Sequence, residues 1–303
     1  MKKFLKIIGV IVIVLALVAL GGVLYVARSN AMGFVHVPAQ RPGPEHTPKD
    51  FGMDYEDVSL TTSDGLKLAA WYVPSKNGAA VILQHGYRNT RDGVVDYAQF
   101  LSKHDYGILM MDARAHGASE GTTVSFGKQE ALDVRAGLDY LLAREEVDPE
   151  RIGALGVSQG AVTVILASAQ YPEIRAVVAD SAYASLQDEI AVGVKAFTGL
   201  DPFPFAPLIQ FFAEGEAHMK ASEVAPINHI AEIAPRPLYL IQGGADTVIP
   251  TNSGQRLYDA AGNPKELWFD EKLGHSQAES TYPEEYEQRI SGFFDKYLLE
   301  KGD

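Results

Sequence analysis

The 303-residue sequence has no cysteine, which excludes disulfides, thiolate nucleophiles and cysteine-ligated zinc together. A chain without cysteine suits either side of a membrane. Positive charge is also short: 26 lysines and arginines stand against 39 acidic residues, a formal net charge of -13. Binding to a phosphate backbone needs a basic face, so a nucleic-acid partner is not expected. There is no HExxH or comparable ligand set, no internal repeat and no low-complexity tract. Neither a metal nor another cofactor is therefore expected. With 47% hydrophobic and 21% charged residues, the chain suits one sizeable globular domain plus an appendage.

The appendage is at the start. Lys2, Lys3 and Lys6 precede an almost wholly apolar run from Ile7 to Ala27. As a helix this run is about 31 Å long, enough to cross a bilayer core. It has no polar face, which argues against a core helix of a soluble domain. Residues 1–32 are read as a transmembrane signal anchor. The lysines before the run place the N-terminus in the cytoplasm and the remaining domain outside it, at the cell membrane. A small-x-small pattern at Ser29 and Ala31 leaves secretion after signal cleavage as the alternative. Residues 33–53 hold four prolines and little periodicity, and read as a linker.

From residue 54 to 303 the pattern is that of an α/β domain. Tyr55–Thr61 and Leu66–Val73 read as two strands joined by a turn at Ser63-Asp64-Gly65. Short apolar runs follow at Ala79–Leu83, Gly107–Met111, Ile152–Leu155, Ala176–Ala179, Leu238–Ile241 and Leu267–Phe269. Strands apolar on both faces belong to a mostly parallel sheet with helices on both sides. Helical spacing falls at Gly127–Leu142 and Tyr282–Leu299. Residues 181–234 break the alternation, with no strand pattern and many large apolar side chains. Leu186, Ile190, Val194 and Phe197 share a helical face there, and Phe203, Phe205, Phe211 and Phe212 follow. This stretch is expected to form a helical cap over the C-terminal edge of the sheet. Phe197 and Phe212 are expected to line a substrate pocket within it.

Chemistry is signalled by Gly156-Val157-Ser158-Gln159-Gly160, which follows one apolar run and opens a helical one. A sharp strand-to-helix turn holds its middle side chain clear of the sheet, and small neighbours two positions away permit the turn. A serine hydroxyl needs a base to take its proton and an anion to hold the base in the right tautomer. In this topology the partners follow in the order acid, then histidine. Asp246, after the Leu238–Ile241 run, and His275, after Leu267–Phe269, meet that order. Asp180 also ends an expected strand and is the alternative acid. Asp112 reads as the brace of a turn, and His116 as structural in that turn. His36, His46, His104, His218 and His229 fall in linker, helix or cap contexts and read as ordinary surface or core residues. The oxyanion formed in acyl transfer needs fixed donors. The backbone N–H of Gln159 and that of Tyr87, in Gln84-His85-Gly86-Tyr87, are the candidates, with His85 and Gly86 shaping the loop.

These segments resemble the α/β-hydrolase superfamily. The likeness rests on His85-Gly86-Tyr87, the Asp112–Gly121 stretch, the Ser158 turn, Gly243–Pro250 and Gly274-His275. It is similar to small bacterial hydrolases akin to Bem46-like and prolyl-oligopeptidase-related groups, over roughly residues 54–299. The resemblance implies an α/β-hydrolase fold and a triad on Ser158, Asp246 and His275, with oxyanion donors on Tyr87 and Gln159. The lipase-type HGGG loop is absent, and so is the N-terminal propeller that restricts prolyl oligopeptidases to peptides. The expected function is hydrolysis of a small-molecule carboxylic ester through an acyl-enzyme, because an apolar cap suits acyl chains. A peptidase or amidase is an alternative, with Lys195 or Lys220 as a cationic grip. An acyltransferase is another, and a non-catalytic binding module on the same fold a third. The sequence leaves the oligomeric state open.

Overall fold

A computed structural model describes residues 2–36 and 43–300. Eight strands form one sheet: β1 (Glu56–Thr61), β2 (Lys67–Val73), β3 (Ala80–Gln84), β4 (Gly107–Met111), β5 (Ile152–Val157), β6 (Ala176–Asp180), β7 (Leu238–Gly243) and β8 (Lys265–Asp270). Their order across the sheet is β1-β2-β4-β3-β5-β6-β7-β8. β1 pairs antiparallel with β2 and β2 with β4, and the other pairs are parallel. All five residues of β3, β4 and β6 are buried, as expected for strands covered on both faces.

The helices are α1 (Lys2–Val35), α2 (Val95–Lys103), α3 (Glu130–Leu142), α4 (Gln159–Gln170), α5 (Leu186–Thr198), α6 (Pro202–Ala217), α7 (Ser253–Ala260), α8 (Ala278–Thr281) and α9 (Pro283–Phe294). Two cores lie on opposite faces of the sheet. One packs α3 and α4 through Val134, Leu138, Val162 and Ile165. The other packs α2 and α9 through Phe100, Leu101, Tyr286 and Phe294. The eight strands fall where the sequence predicts them: β1 and β2 begin one residue later, β3 is shifted by one, β4 is unchanged, and β5 to β8 are lengthened by up to two residues at an end. Except for Val157, the added residues carry polar side chains or are glycine, which hydropathy alone does not extend into. The segment between β6 and β7 contains α5, α6 and three single 3-10 turns, and no strand.

α1 differs from expectation at its end. It continues to Val35, so residues 33–35 are helical where a linker is expected, and His36 already pairs with Thr123. The cause is tertiary. Ala27, Ala31 and Val35 are fully buried in a cluster with Val194, Ala206 and Ile209 of the cap helices. Further along the expected linker, residues 48–51 form a 3-10 turn. Residues 37–42 of that linker, residue 1 of the anchor and residues 301–303 of the domain lie outside the described residues. The segment before Ala27 is long and apolar enough to cross a membrane, and it is exposed.

Candidate active site

The C-terminal ends of β5, β7 and β8 meet at one place. Ser158 sits between β5 and α4 with φ 57° and ψ -120°, a left-handed conformation that a side-chain-bearing residue adopts only under constraint. The constraint is backbone crowding. A Cβ on Gly156 would lie 2.2 Å from the Gly160 carbonyl oxygen, and one on Gly160 would lie 2.1 Å from that of Gln84. Both neighbours must therefore be glycine for the turn to close. The Ser158 N–H donates to the Asp180 carbonyl at 2.8 Å, tying the turn to the neighbouring strand.

A continuous hydrogen-bonded chain runs through the three side chains expected to act together. His275 Nδ1 lies 2.8 Å from Asp246 Oδ2, and His275 Nε2 lies 2.8 Å from Ser158 Oγ. With Nδ1–H donating to the carboxyl group, Nε2 is left to accept from the hydroxyl. The second Asp246 oxygen accepts from the N–H groups of Val248 and Ile249 at 2.8 and 3.0 Å. The Asp246 side chain is fully buried, while that of His275 is one-fifth exposed.

Asp180, the alternative acid, is engaged elsewhere. Its oxygens accept from Ser181 Oγ and Tyr286 Oη, and burial pushes its carboxyl up to about 6. Ser181 Oγ in turn accepts from the Ser276 N–H at 3.0 Å. Asp180 thus supports the His275 loop from below. Asp112 braces a turn as expected: it accepts from Arg91 and from the Ala118 N–H, and it is ion-paired with Arg91.

The loop carrying Tyr87 is held by two buried histidines. His85 Nε2 accepts from the Ala113 N–H and its Nδ1 faces the Gly86 carbonyl. His116 Nε2 accepts from the Arg88 N–H and its Nδ1 faces the Arg114 carbonyl. Each ring accepts at one nitrogen and donates at the other, which only the neutral form can do. Burial, then the neighbouring His116, pushes His85 down to about 3. The Tyr87 hydroxyl donates to the Phe34 carbonyl at 2.9 Å, and Arg88 donates to the Gly33 carbonyl at 2.5 Å. The loop therefore caps the last carbonyls of α1.

Ser158 opens into a cleft of about 870 Å³, its open mouth included. Tyr87 and Gln159 line it beside Ser158, and Leu186, Ile190, Val194 and Phe197 form one wall. That wall is the apolar stripe read from the sequence. Phe212 departs from expectation. It lies on the other side of α6, against α1 and beside Arg28 and Met32, and it does not line the cleft. The α6 residues facing the cleft are Ile209, Gln210, Ala213, Glu214 and Ala217, and Phe212 falls off their stripe. Lys195 and Lys220 do not line it either: they pair with Asp201 and Glu214.

Three cleft features were not anticipated. Phe34 and Val35 of α1 form part of the wall, and Phe34 stacks with Tyr87 and meets Phe197 edge-on. The i, i+4 series Ala27, Ala31, Val35 was the signal that the helix continues into the domain. Glu189 lines the cleft, buried, with one carboxyl oxygen lacking a partner. Burial and the nearby Asp246 push its carboxyl up to about 9. Gln159 likewise has a buried side-chain oxygen without a partner. Among the described residues no cluster of three or more His, Asp or Glu side chains could hold a metal ion.

The sheet order, the strained serine turn after β5 and the inserted cap define an α/β-hydrolase. The chain belongs to the prolyl oligopeptidase family, which it matches over residues 96–301. It is 28% identical to the protein YfhR of Escherichia coli O157:H7 over 220 residues, 70% of each chain. It is 27% identical over 299 residues to the alpha/beta hydrolase domain-containing protein WAV2 of Arabidopsis thaliana, 94% of this chain and 93% of that one. Among solved structures it is similar to the Pyrococcus furiosus esterase Pf2001, with a TM-score of 0.75 and 30% identity, covering 88% of this chain and 100% of that one. These likenesses make the protein a serine hydrolase of the α/β-hydrolase superfamily.

Proposed function

We propose that the protein hydrolyses carboxylic esters with an apolar acyl group through an acyl-enzyme on Ser158. The observation that carries this is the unbroken hydrogen-bonded chain from Asp246 through His275 to Ser158, opening into an apolar cleft. His275 Nε2 takes the proton as Ser158 Oγ attacks the acyl carbon, and Asp246 stabilises the imidazolium that forms. The Tyr87 and Gln159 N–H groups receive the oxyanion. The imidazolium then returns its proton to the leaving alkoxide. Water, activated by the same histidine, releases the acid and regenerates the hydroxyl. α1 anchors the enzyme in the cell membrane with the domain outside the cytoplasm.

Glu189 favours a second reading, an amidase or esterase for aminoacyl substrates. A buried carboxyl with an unpartnered oxygen would pair with a substrate ammonium. A fluorophosphonate should label the native chain at Ser158, and acetate, butyrate and octanoate esters should be turned over. A chain that takes no label and cleaves none of the three refutes the ester reading. Selective cleavage of aminoacyl amides, lost in Glu189→Gln, moves it to the second.

A further inference from the structure

Outside α1, the described residues expose only four large apolar side chains: Phe197, Phe203, Phe211 and Phe269. Three of them belong to α5 and α6, the helices that cover Ser158. Phe203 is 83% exposed and Phe211 71%. Large aromatics left exposed on two packed helices point to a surface that meets something other than water.

Their position relative to α1 says what. His36, just past the end of α1, meets Glu216 near the end of α6 at 2.7 Å. One turn back, Arg28 and Met32 share a recess with Phe211 and Phe212. Further back, Ala27 lies in one apolar cluster with Phe205 and Leu208. The two helices therefore run in the same direction, side by side. Phe205 lies roughly 16 Å before Glu216 along α6, level with about residue 25 of α1. That level is inside the apolar run, which extends to Ala27. The seam on α1 is Val23, Ala27, Ala31 and Val35, buried or half-buried and spaced four apart. Alanines at its centre let the helices approach closely. At the other end of the seam, Phe34 and Val35 form part of the wall of the Ser158 cleft.

We propose that the α5–α6 cap is seated in the bilayer surface beside α1, and that the cleft draws its substrate, an acyl-lipid ester, directly from the membrane. The acyl chain passes along Phe34 and Phe197 to Ser158 without crossing water. This rests on the esterase reading and on α1 as a membrane span, and it adds the substrate class and the place from which the substrate comes.

The absence of cysteine gives a clean test. Single Phe203→Cys, Phe211→Cys, Leu15→Cys and Lys103→Cys variants of the full chain, each carrying a bimane, are reconstituted in phosphatidylcholine–phosphatidylglycerol vesicles. Nitroxide-labelled lipid should quench positions 15, 203 and 211 and spare 103. Quenching at 15, with 203 and 211 no more affected than 103, overturns the seating of the cap. That holds also if 203 and 211 are instead shielded by self-association. No quenching at 15 removes the span and the proposal with it. In a second arm, a Phe203→Ser, Phe211→Ser double variant should lose roughly tenfold or more in turnover of dioleoylglycerol held in those vesicles. Its hydrolysis of a water-soluble butyrate ester and its labelling by a fluorophosphonate should match the native chain. Unchanged lipid turnover overturns the membrane route. Failure of the native chain to cleave either ester or take the label refutes the esterase reading instead, and the quenching arm then decides the seat of the cap alone.

Discussion

The sheet edge that carries Ser158 and the cap that covers it are built on opposite principles. At the edge each group has several constraints. Ser158 is fixed by crowding at two glycines, Asp246 accepts two backbone N–H groups as well as His275, and the His275 loop rests on Ser181. In the cap, the carboxyl of Glu189 has an unpartnered oxygen, phenylalanines face outward and one wall is borrowed from α1. Preorganised donors and acceptors suit chemistry, where a small displacement is costly. A loosely constrained apolar cover suits selection and delivery of substrate. The difference implies that substitutions at the edge act on kcat, and those in the cap on which ester is cleaved.

The sharpest contrast should come from Ser158→Ala, which should lower kcat about 10⁶-fold and abolish fluorophosphonate labelling, with an unchanged circular dichroism spectrum. Asp246→Asn should cost about 10⁴-fold, and Asp180→Asn far less, because the Asp180 carboxyl bonds Ser181 and Tyr286 rather than His275. Comparable losses in the two would dissolve the distinction between the acid and its support. Deleting residues 2–36 should lower turnover of a soluble butyrate ester on the order of 10²-fold, since the Tyr87 and Arg88 bonds to α1 are lost. Deleting residues 2–20 should leave it unchanged, as the packed part of α1 is retained. Equal activity of both would show that α1 plays no part in the site.

Within the cap, Phe197→Ala should shift the kcat/KM ratio of octanoate to acetate esters by about tenfold, whereas Phe212→Ala should not shift it. The smallest effect is one of stability. Glu189 keeps its proton in the fold up to about pH 9 and releases it in the unfolded chain near its ordinary value. Between these the folded chain binds more protons, so the stability contribution of this group falls as pH rises. Glu189→Gln should therefore gain stability over the native chain between pH 5 and pH 9, by about 1–3 kcal/mol, and match it below pH 4. Urea midpoints across that range give the answer.

The same division decides what could be read from the sequence. The turn at Ser158 and the order Ser158, Asp246, His275 are written in local motifs at strand ends, and these side chains converge. Strand positions followed from apolar runs, because a parallel sheet buries both faces. The cap followed in outline only. The Leu186–Phe197 stripe does line the cleft, but Phe212 faces α1, since the kinked entry at Phe203 and Pro207 obscures the helical period of α6. The end of α1 was missed for a related reason. Gly33 and the prolines after it read as the start of a linker, while three fully buried contacts with α5 and α6 carry the helix on to Val35. Long-range packing overrides local propensity there.

The docking of the end of α1 on the domain has a consequence for how such an enzyme would search. A flexible leash lets a tethered body roam the volume its length allows. Here Tyr87 and Arg88 hold the last carbonyls of the helix, and His36 pairs with Thr123, so there is no slack at the joint. With α1 in a bilayer, the height of Ser158 above that bilayer is set like that of a wheel on an axle. The enzyme then surveys one leaflet by lateral diffusion, in two dimensions and in cis. An ester in a facing membrane would stay out of reach at any concentration.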